Sequence, residues 1–124
     1  MSLLVLEQLE IEIRRAGPLQ QGYCPLCGSV FRIPRVTAVL QDGPVPLGYL
    51  CELCLMLGPH VAATKVEERA QALRGLIDKA RQTMSVIQWL CVTAAVRERI
   101  ERYEALAAGL KEMPWWPMRR QAFD

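Results

Sequence analysis

Two pairs of cysteines, each with the spacing C-x-x-C, are the residues of this sequence best suited to chemistry. One pair bounds residues 24–27, the other bounds 51–54, and 23 residues separate them. Four thiolates in this pattern bind one divalent ion tetrahedrally, with metal–sulfur distances of about 2.3 Å and no open coordination position. The pattern therefore predicts one structural Zn²⁺ ion on the ligands Cys24, Cys27, Cys51 and Cys54. Iron in the same cage and a chance pairing of buried thiols are the alternatives.

The residues around the first pair suit a metal-binding turn. Two intervening residues let one tight turn present both sulfurs to the same ion. Gly28 can adopt a positive φ, which allows backbone N–H groups to point at the sulfurs. Pro25 fixes φ inside the turn. Leu55 follows the second pair, so the second turn lacks the glycine.

Residues 20–58 resemble the zinc-ribbon family through these motifs. The sequence runs from Cys24-Pro25-Leu26-Cys27-Gly28 through a hairpin-like segment to Cys51-Glu52-Leu53-Cys54. The resemblance covers less than a third of the chain. It implies a structural zinc held by the four cysteines, with both pairs on adjoining β-hairpins. The first pair also resembles those of the rubredoxins, which implies iron as the alternative metal.

A treble-clef arrangement, in which the second pair opens a helix, is the alternative to the ribbon. Gly58 and Pro59 follow Cys54 so closely that such a helix would end almost at once, and we therefore expect the ribbon. Zinc ribbons occur in transcription, translation and nucleic-acid enzymes, and also as protein-docking modules. The resemblance alone does not choose among these functions.

The remaining candidate residues do not predict catalysis. His60 is the only histidine, and a surface position is expected for it. Cys91 falls on an apolar helical seam and is expected to be a small buried hydrophobe. The sequence has no glycine-rich phosphate loop, no H-E-x-x-H and no nucleophile elbow. We expect a protein that is not an enzyme and has no small-molecule substrate.

Composition and charge indicate a small globular protein. Its 124 residues are 52% apolar, which argues against disorder. The formal net charge is +2, which excludes a strongly basic nucleic-acid coat. Residues 1–60 hold four basic and five acidic side chains, and four thiolates with one Zn²⁺ would make that part more negative. Such a part is predicted to bind phosphates poorly.

The beginning of the sequence does not resemble a signal peptide. No basic residue precedes its short apolar stretch, and Glu7 soon follows. The uncharged residues 82–96 are too few and too polar to span a bilayer. We expect a cytoplasmic protein without a membrane partner. In a reducing compartment, paired C-x-x-C motifs are metal ligands rather than disulfides.

The apolar pattern and the turn signals predict an α+β fold, a small zinc-ribbon β module followed by a long helix or an antiparallel helical hairpin. Four segments result: an N-terminal helix or strand (1–19), the zinc-ribbon module (20–60), the helical arm or hairpin (61–112) and a Trp/Arg tail (113–124). Within the module, strands are expected on both sides of an Asp42-Gly43 hairpin turn. Pro44 and Pro46 keep the returning strand at an edge of its sheet.

The N-terminal segment supports two interpretations. Residues 9–13 alternate between apolar and acidic side chains, as a strand does. Leu6, Leu9 and Ile13 also line one helical face, and Gly17 with Pro18 would stop a helix. We favour the helix.

The segment after Pro59 has a long helical pattern. Thr64 and Glu67 fit a capping box at a helix start. From Val66 to Ala94, apolar residues recur in alternating steps of four and three, as in a heptad seam. The pattern then slips by two residues and continues on a shifted face.

This slip permits one long helix with a discontinuity, or two antiparallel helices that fold back near residues 82–95. Ser85 and Gln88 in that region form a second capping-box match. We favour the hairpin, because a small protein can then bury its own seam. The long helix would require a partner to cover it.

Two sets of residues are candidates for contacts with partners. The helical seam and the tail would dock a protein partner or a second copy of the chain through Leu73, Ile77, Met84, Ile87, Trp115 and Trp116. In the alternative, nucleic acid is contacted by Arg32, Arg35, Arg119 and Arg120. A tail that folds back over its own core is a further interpretation of the two tryptophans, and the one we favour.

These patterns together predict a non-enzymatic zinc-binding adaptor that docks or oligomerises through its helical seam. The zinc-ribbon resemblance alone suggests an accessory subunit of a nucleic-acid-handling assembly. A direct DNA- or RNA-binding regulator that uses the arginines and the tail is the alternative. A redox or catalytic protein is the least supported class.

Overall fold

The computed structural model describes residues 8–17 and 20–120, with side chains up to residue 118. Within these residues the fold is α+β, as predicted: a mainly antiparallel β part precedes two long helices. The elements in chain order are β1 (Leu9–Arg15), β2 (Gln21–Tyr23), β3 (Val30–Arg32), β4 (Val36–Asp42), β5 (Val45–Tyr49), α1 (Glu52–Leu57), α2 (Pro59–Thr83), α3 (Val86–Lys111) and β6 (Met118–Arg120).

Four of these strands form one sheet, in the order β5-β4-β1-β6. β1 pairs antiparallel with β4, from Leu9 opposite Asp42 to Arg15 opposite Val36. β6 pairs in parallel with the other edge of β1, and β2 with β3 forms a separate two-stranded hairpin. The first and last described strands are therefore neighbours, so the sheet joins the two ends of this part of the chain.

The helix favoured for residues 1–19 is wrong, and the strand read from its alternation is confirmed for Leu9–Arg15. Residues 1–7, 18 and 19 lie outside the described part of the chain. Ile11 is completely buried in the core, and it alternates along the strand with Glu10 and Glu12. These residues form a strand because β4 pairs antiparallel with them along their whole length. Local propensity does not include such a contact between distant residues.

The predicted hairpin in the middle of the sequence is confirmed. β4 and β5 pair on either side of a turn that contains Gly43, whose φ is 58°. β5 is an edge strand, as expected, because Pro46 has no backbone N–H group to donate to a second neighbouring strand. Most of β4 is buried, so this strand forms the centre of the sheet.

The antiparallel helical hairpin is also confirmed. Met84 and Ser85 form the turn, and Ser85 and Gln88 make both hydrogen bonds of the capping box that begins α3. The predicted start of the first helix at Thr64 is wrong, because α2 already begins at Pro59. The Thr64 hydroxyl instead donates to the carbonyl oxygen of His60, one turn earlier.

The apolar face that follows the slip is the face α3 turns toward α2. Its members Ile100, Ala107 and Leu110 are buried, and Val96 and Tyr103 are partly buried. Near the turn, Trp89 donates its indole N–H to the carbonyl oxygen of Ile77, 3.2 Å away. None of the helices in the described residues is long and apolar enough to cross a membrane.

The heptad pattern that extends from Val66 to Ala94 in the sequence is interrupted at the turn between the helices. Ile87 is 76% exposed, and Cys91 is exposed as well, so the expected burial of Cys91 is wrong. A two-residue turn resets the helical phase, and α3 then buries a face rotated away from Ile87 and Cys91. An apolar stripe consequently faces outward at the beginning of α3.

One hydrophobic core joins the sheet, α1 and the helical hairpin. Three of the four paired cysteines are themselves members of this core. Their buried neighbours come from every part of the fold and include Leu26, Leu40, Val66, Leu106, Leu110 and Trp116. The β module and the helices therefore share one interior.

The tail folds back over this core, as favoured from the sequence. Trp116 is 4% exposed and donates its indole N–H to the carbonyl oxygen of Leu55 in α1, 2.9 Å away. The partner-binding role predicted for Trp116 is therefore wrong. Trp115 is half exposed, and its ring covers Gly58, where an added Cβ would lie 2.5 Å from Trp115 Cζ3. Gly58 also has a φ of 92°, so both backbone and space require glycine there.

Trp116→Ala is expected to destabilise the protein by about 3–5 kcal/mol, because it removes a buried ring and leaves the Leu55 carbonyl without its donor. Trp116→Phe keeps most of the ring and should cost about 1–3 kcal/mol. Urea unfolding measures both losses. Trp115→Ala is the matched control and should cost less than Trp116→Ala. An equal loss at both tryptophans, or none at Trp116, would contradict the difference in their burial.

Candidate metal centre

The structure brings the four predicted ligands together at one possible metal site. One sulfur from each of Cys24, Cys27, Cys51 and Cys54 lies within 4.8 Å of the other three. The sulfurs of Cys27 and Cys51 are 3.7 Å apart. Sulfurs about 2.3 Å from a central ion form a tetrahedron with edges of about 3.8 Å, so this spacing fits tetrahedral coordination. All four are free thiols, whereas a disulfide requires about 2.05 Å between its sulfurs.

The first pair lies in the loop of the β2–β3 hairpin. Gly28 has a φ of 79°, as predicted for a metal-binding turn, and its N–H donates to the carbonyl oxygen of Cys24 at 2.9 Å. The sulfur of Cys27 lies 2.9 Å from the hydroxyl of Ser29, and the backbone of the turn acts to lower the pKa of both thiols. The turn thereby surrounds both sulfurs with donors that stabilise thiolate charge.

The second pair opens a helix, so the predicted ribbon is wrong at this point. Cys51 is the N-cap of α1, and its sulfur accepts the N–H of Cys54 at 3.4 Å. Free N–H groups at a helix start favour negative charge, which suits a thiolate. The order of elements is that of the treble-clef alternative. α1 does end before Gly58, but one turn of helix is enough to place both sulfurs.

The four thiols hold their protons unequally. A hydrogen bond from the Cys54 thiol is the main cause that lowers the pKa of Cys24 to about 4, and the same bond raises the pKa of Cys54. Burial raises the pKa of Cys51. Burial also acts to raise the pKa of Cys27, but hydrogen bonds from Ser29 outweigh it and lower that pKa. The pKa is thus lowered for two thiols and raised for the other two, and a bound divalent ion would favour loss of the proton from all four.

Arg69 of α2 connects the first pair to both long helices. Its guanidinium donates to the carbonyl oxygens of Pro25 at 3.0 Å and Leu26 at 3.2 Å, and to the hydroxyl of Tyr103 at 2.8 Å. The same group lies 4.6 Å above the Tyr103 ring. A Cβ on Gly28 would lie 3.2 Å from the guanidinium, so the glycine also permits this close approach. The sequence analysis did not find Arg69, because 44 residues separate it from Pro25.

The other residues singled out in the sequence lie away from this centre. His60 is exposed in the first turn of α2, and in the described part of the chain only the four cysteines form a possible metal group. Leu73 and Ile77 are half-buried on the face that α2 turns toward α3. Both side chains therefore pack within the helical hairpin and are less accessible to a partner.

Two of the exposed apolar surfaces on the described residues lie at helix ends. The first, here called the hairpin-tip surface, consists of Met84, Val86, Ile87 and Leu90, which are between 38% and 76% exposed. It includes two of the residues predicted to bind a partner. The second, the α1 surface, consists of Leu53, Met56, Leu57 and Val61. Sequence reasoning missed the α1 surface because it expected no helix there, although the spacing of these residues is helical.

The arginines proposed for nucleic acid lie near the sheet. Arg32 and Arg35 are exposed, at the end of β3 and just before β4. Arg119 and Arg120 belong to β6, in register with Glu12 and Ile13 of β1. The pairing of β6 with β1 therefore places the backbone of Arg119 and Arg120 beside β1, the strand that ends near Arg35.

Comparison of the chain with models of known protein families, with curated proteins and with solved structures gives no match. The zinc-ribbon resemblance accordingly has no support beyond the cysteine spacing. What the chain can do chemically follows from the geometry of its cysteines and from its surfaces.

Arg69→Met is expected to destabilise the protein by about 2–3 kcal/mol, because two carbonyl oxygens and the Tyr103 hydroxyl lose their charged donor. Thermal unfolding measures the loss. Arg102→Met is the matched control: Arg102 is exposed, pairs with Glu98 four residues earlier and should contribute at most about 0.5 kcal/mol. Equal melting of the two variants would contradict the role assigned to Arg69.

Proposed function

We propose that this chain is a zinc-stabilised adaptor without enzymatic activity, in which one ion organises the core and the helical hairpin makes the protein contact. The observation that carries the proposal is the approach of four sulfurs to within 4.8 Å of one another, beside the hydrophobic core. With four protein sulfurs as ligands, an ion has no coordination position for a substrate. Such a site supports the fold rather than a reaction.

Zinc is the metal that the ligand chemistry favours. Thiolate sulfur is a soft ligand, and Zn²⁺ accepts tetrahedral geometry without a preference of its own. Iron fits the same four sulfurs, and elemental analysis distinguishes the two. When bound, the ion would supply a cross-link between the β2–β3 loop, through Cys24 and Cys27, and the start of α1, through Cys51 and Cys54.

The elements around the site explain why a cross-link matters. β2 and β3 have three residues each, and α1 has six, all too short to be stable alone. Structural zinc contributes about 10–16 kcal/mol of apparent binding energy. A whole domain is stable by only about 5–15 kcal/mol, so the ion would decide whether this part of the chain folds.

The hairpin-tip surface supports the adaptor role. Val86 and Ile87 are 73% and 76% exposed, and Leu90 is 56% exposed one turn further along α3. This apolar stripe ends before Glu98 and Arg102, which form an ion pair on the outside of the same helix. A helix that presents such a stripe can pair with the same stripe of a second copy about a two-fold axis. We take a second copy as the partner.

We also propose that this chain is an accessory subunit of a nucleic-acid-handling assembly. The cysteine motif first suggested it, but the second pair does not adopt the ribbon arrangement. Its support in the fold is the group of arginines near the ends of β1 and β3.

The reduced chain is expected to contain one zinc ion, detectable by native mass spectrometry and elemental analysis. Cys24→Ser and Cys54→Ser should each lose the ion and the cooperative unfolding transition, and a chelator should have the same effect. Lowering the pH should also release the ion, because protons compete with zinc for the four thiolates.

Cys91→Ser is the matched control for these variants, because Cys91 is an exposed free thiol outside the cluster. It should keep both the ion and the unfolding transition. Iron as the bound metal would overturn the assignment to zinc. Retained metal with unchanged melting in Cys24→Ser and Cys54→Ser would contradict the ligand assignment.

The chain is expected to show a concentration-dependent mass in light scattering, with a dimer at high concentration. Ile87→Glu combined with Leu90→Glu should abolish the dimer. At a concentration where the unsubstituted chain is monomeric, it should leave the melting temperature unchanged, because both side chains are exposed in the monomer. A bifunctional thiol reagent should cross-link Cys91 between copies of the unsubstituted chain, since Cys91 lies on the same stripe.

Met56→Glu is the matched control for the dimer, since it places a charge on the α1 surface, where Met56 is 68% exposed. It should leave the mass unchanged. A chain that stays monomeric when concentrated would contradict the dimer. Loss of the dimer in Met56→Glu, with retention in the double variant, would assign the contact to the α1 surface instead.

A further inference from the structure

The arginines of the β part are gathered at one end of it. All four basic residues of residues 1–60 lie in the two short stretches where β1 ends and where β3 passes into β4: Arg14, Arg15, Arg32 and Arg35. The antiparallel register places Arg15 opposite Val36, and the N–H of Ala16 donates to the carbonyl oxygen of Arg35 at 2.8 Å. We call this group the arginine end of the sheet.

The carboxylates of the same strands lie elsewhere or are already engaged. Asp42 is at the opposite end of the sheet, in register with Leu9. Glu12 is 8% exposed, and both Arg14 and Gln41 donate hydrogen bonds to it. The slight negative charge of residues 1–60 is therefore an average over a polarised sheet. It does not describe the arginine end, where Arg32 and Arg35 are exposed and Glu12 already binds Arg14.

A depression at the arginine end has no acidic side chain among its described lining residues. It has a volume of about 460 Å³ and is lined by Arg15, Ala16, Gly17, Arg35 and Val36. Arg32 lines a neighbouring depression that also includes Val36, and Glu52 is the one carboxylate among the described residues there. In the described part of the chain, no carboxylate pairs with Arg32 or Arg35. Both exposed guanidinium groups are thus available to an anion.

The last strand brings a third segment of chain to this region. β6 runs parallel to β1, with Arg120 in register with Ile13, two residues before Arg15. Its backbone position therefore adds a further arginine at the edge where β1 ends. Sheet pairing therefore brings the backbones of Arg15, Arg35 and Arg120, from the beginning, the middle and the end of the described chain, to one region.

We infer that the arginine end of the sheet binds the phosphate backbone of a nucleic acid. Arginine presents a planar fork of donors that matches phosphate oxygens. Arg32 and Arg35 are three residues apart, at most about 10 Å along the backbone. Each nucleotide of a strand carries one phosphate, so two guanidinium groups at this separation can contact two phosphates of the same strand.

A polyanion of regular spacing fits this surface better than a single small anion. The arginines form a row on both sides of Val36, which is 55% exposed, rather than converging on one buried point. Contacts to phosphates carry no sequence information, so the binding expected here is not sequence-specific. The surface is distinct from the hairpin-tip surface and does not require the dimer.

The test measures fluorescence anisotropy of the metal-loaded chain with a labelled single-stranded RNA and a labelled duplex DNA, each about 20 nucleotides long, between about 50 and about 200 mM salt. Arg32→Gln combined with Arg35→Gln should weaken binding to either probe at least about tenfold at the lower salt. The slope of log K against log salt should fall by about 1.4 for the single strand and about 1.8 for the duplex, because two phosphate contacts are lost.

Arg99→Gln combined with Arg102→Gln is the matched control, since it removes the same charge from the exposed surface of α3. It should leave the affinity and the slope nearly unchanged. Arg32→Lys combined with Arg35→Lys keeps the charge and should keep the slope, which separates phosphate binding from a folding defect.

Three results would overturn the inference. One is no binding to either probe at low salt. Another is an equal loss in the control variant, which would indicate net charge alone. The third is binding to phosphatidylserine vesicles that depends on Arg32 and Arg35 without binding to either nucleic acid.

Discussion

Convergence of four thiols at the junction of the sheet and the helices is the constraint on which this fold depends. Cys24 and Cys27 come from the loop of a hairpin only three residues long on each side, and Cys51 and Cys54 from a helix of six residues. None of these elements can hold its position by its own hydrogen bonds. Four sulfurs pressed together would repel one another as thiolates, so the arrangement calls for a cation. A tetrahedral ion satisfies charge and geometry together.

Side chains of the surrounding protein bind the two segments that carry the sulfurs. Arg69 binds carbonyl oxygens of the first pair's turn while it stacks on Tyr103. Trp116 binds the carbonyl oxygen of Leu55, in the helix that carries the second pair. A side chain of the long hairpin thus secures one pair, and a side chain of the tail secures the helix of the other. The metal centre, the hairpin and the tail consequently form one structural unit rather than a head with appendages.

The surfaces of this unit differ in chemistry from place to place. Apolar side chains at the hairpin tip are exposed because the two-residue turn shifts the phase of α3. Arginines gather at one end of the sheet because antiparallel and parallel pairing align residues that are distant in sequence. Neither feature is visible in the nearly balanced net charge or in the overall composition. The proposed adaptor role would use such separate contact surfaces on one protein.

The pairing of the four cysteines, the positive φ of Gly28, the hairpin around Gly43 and the capping box at Ser85 could be predicted from the sequence, because each depends on neighbours a few residues away. Four features could be established only from the folded protein: β1 is a strand, Cys51 and Cys54 open a helix, Cys91 is exposed and Trp116 is buried. These outcomes depend on partners in distant parts of the chain: β4 for β1, Leu55 for Trp116 and α2 for the face of α3. The local sequence pattern reflects the propensity and spacing of neighbouring residues. The burial of a side chain and the pairing of a strand depend on the whole folded chain.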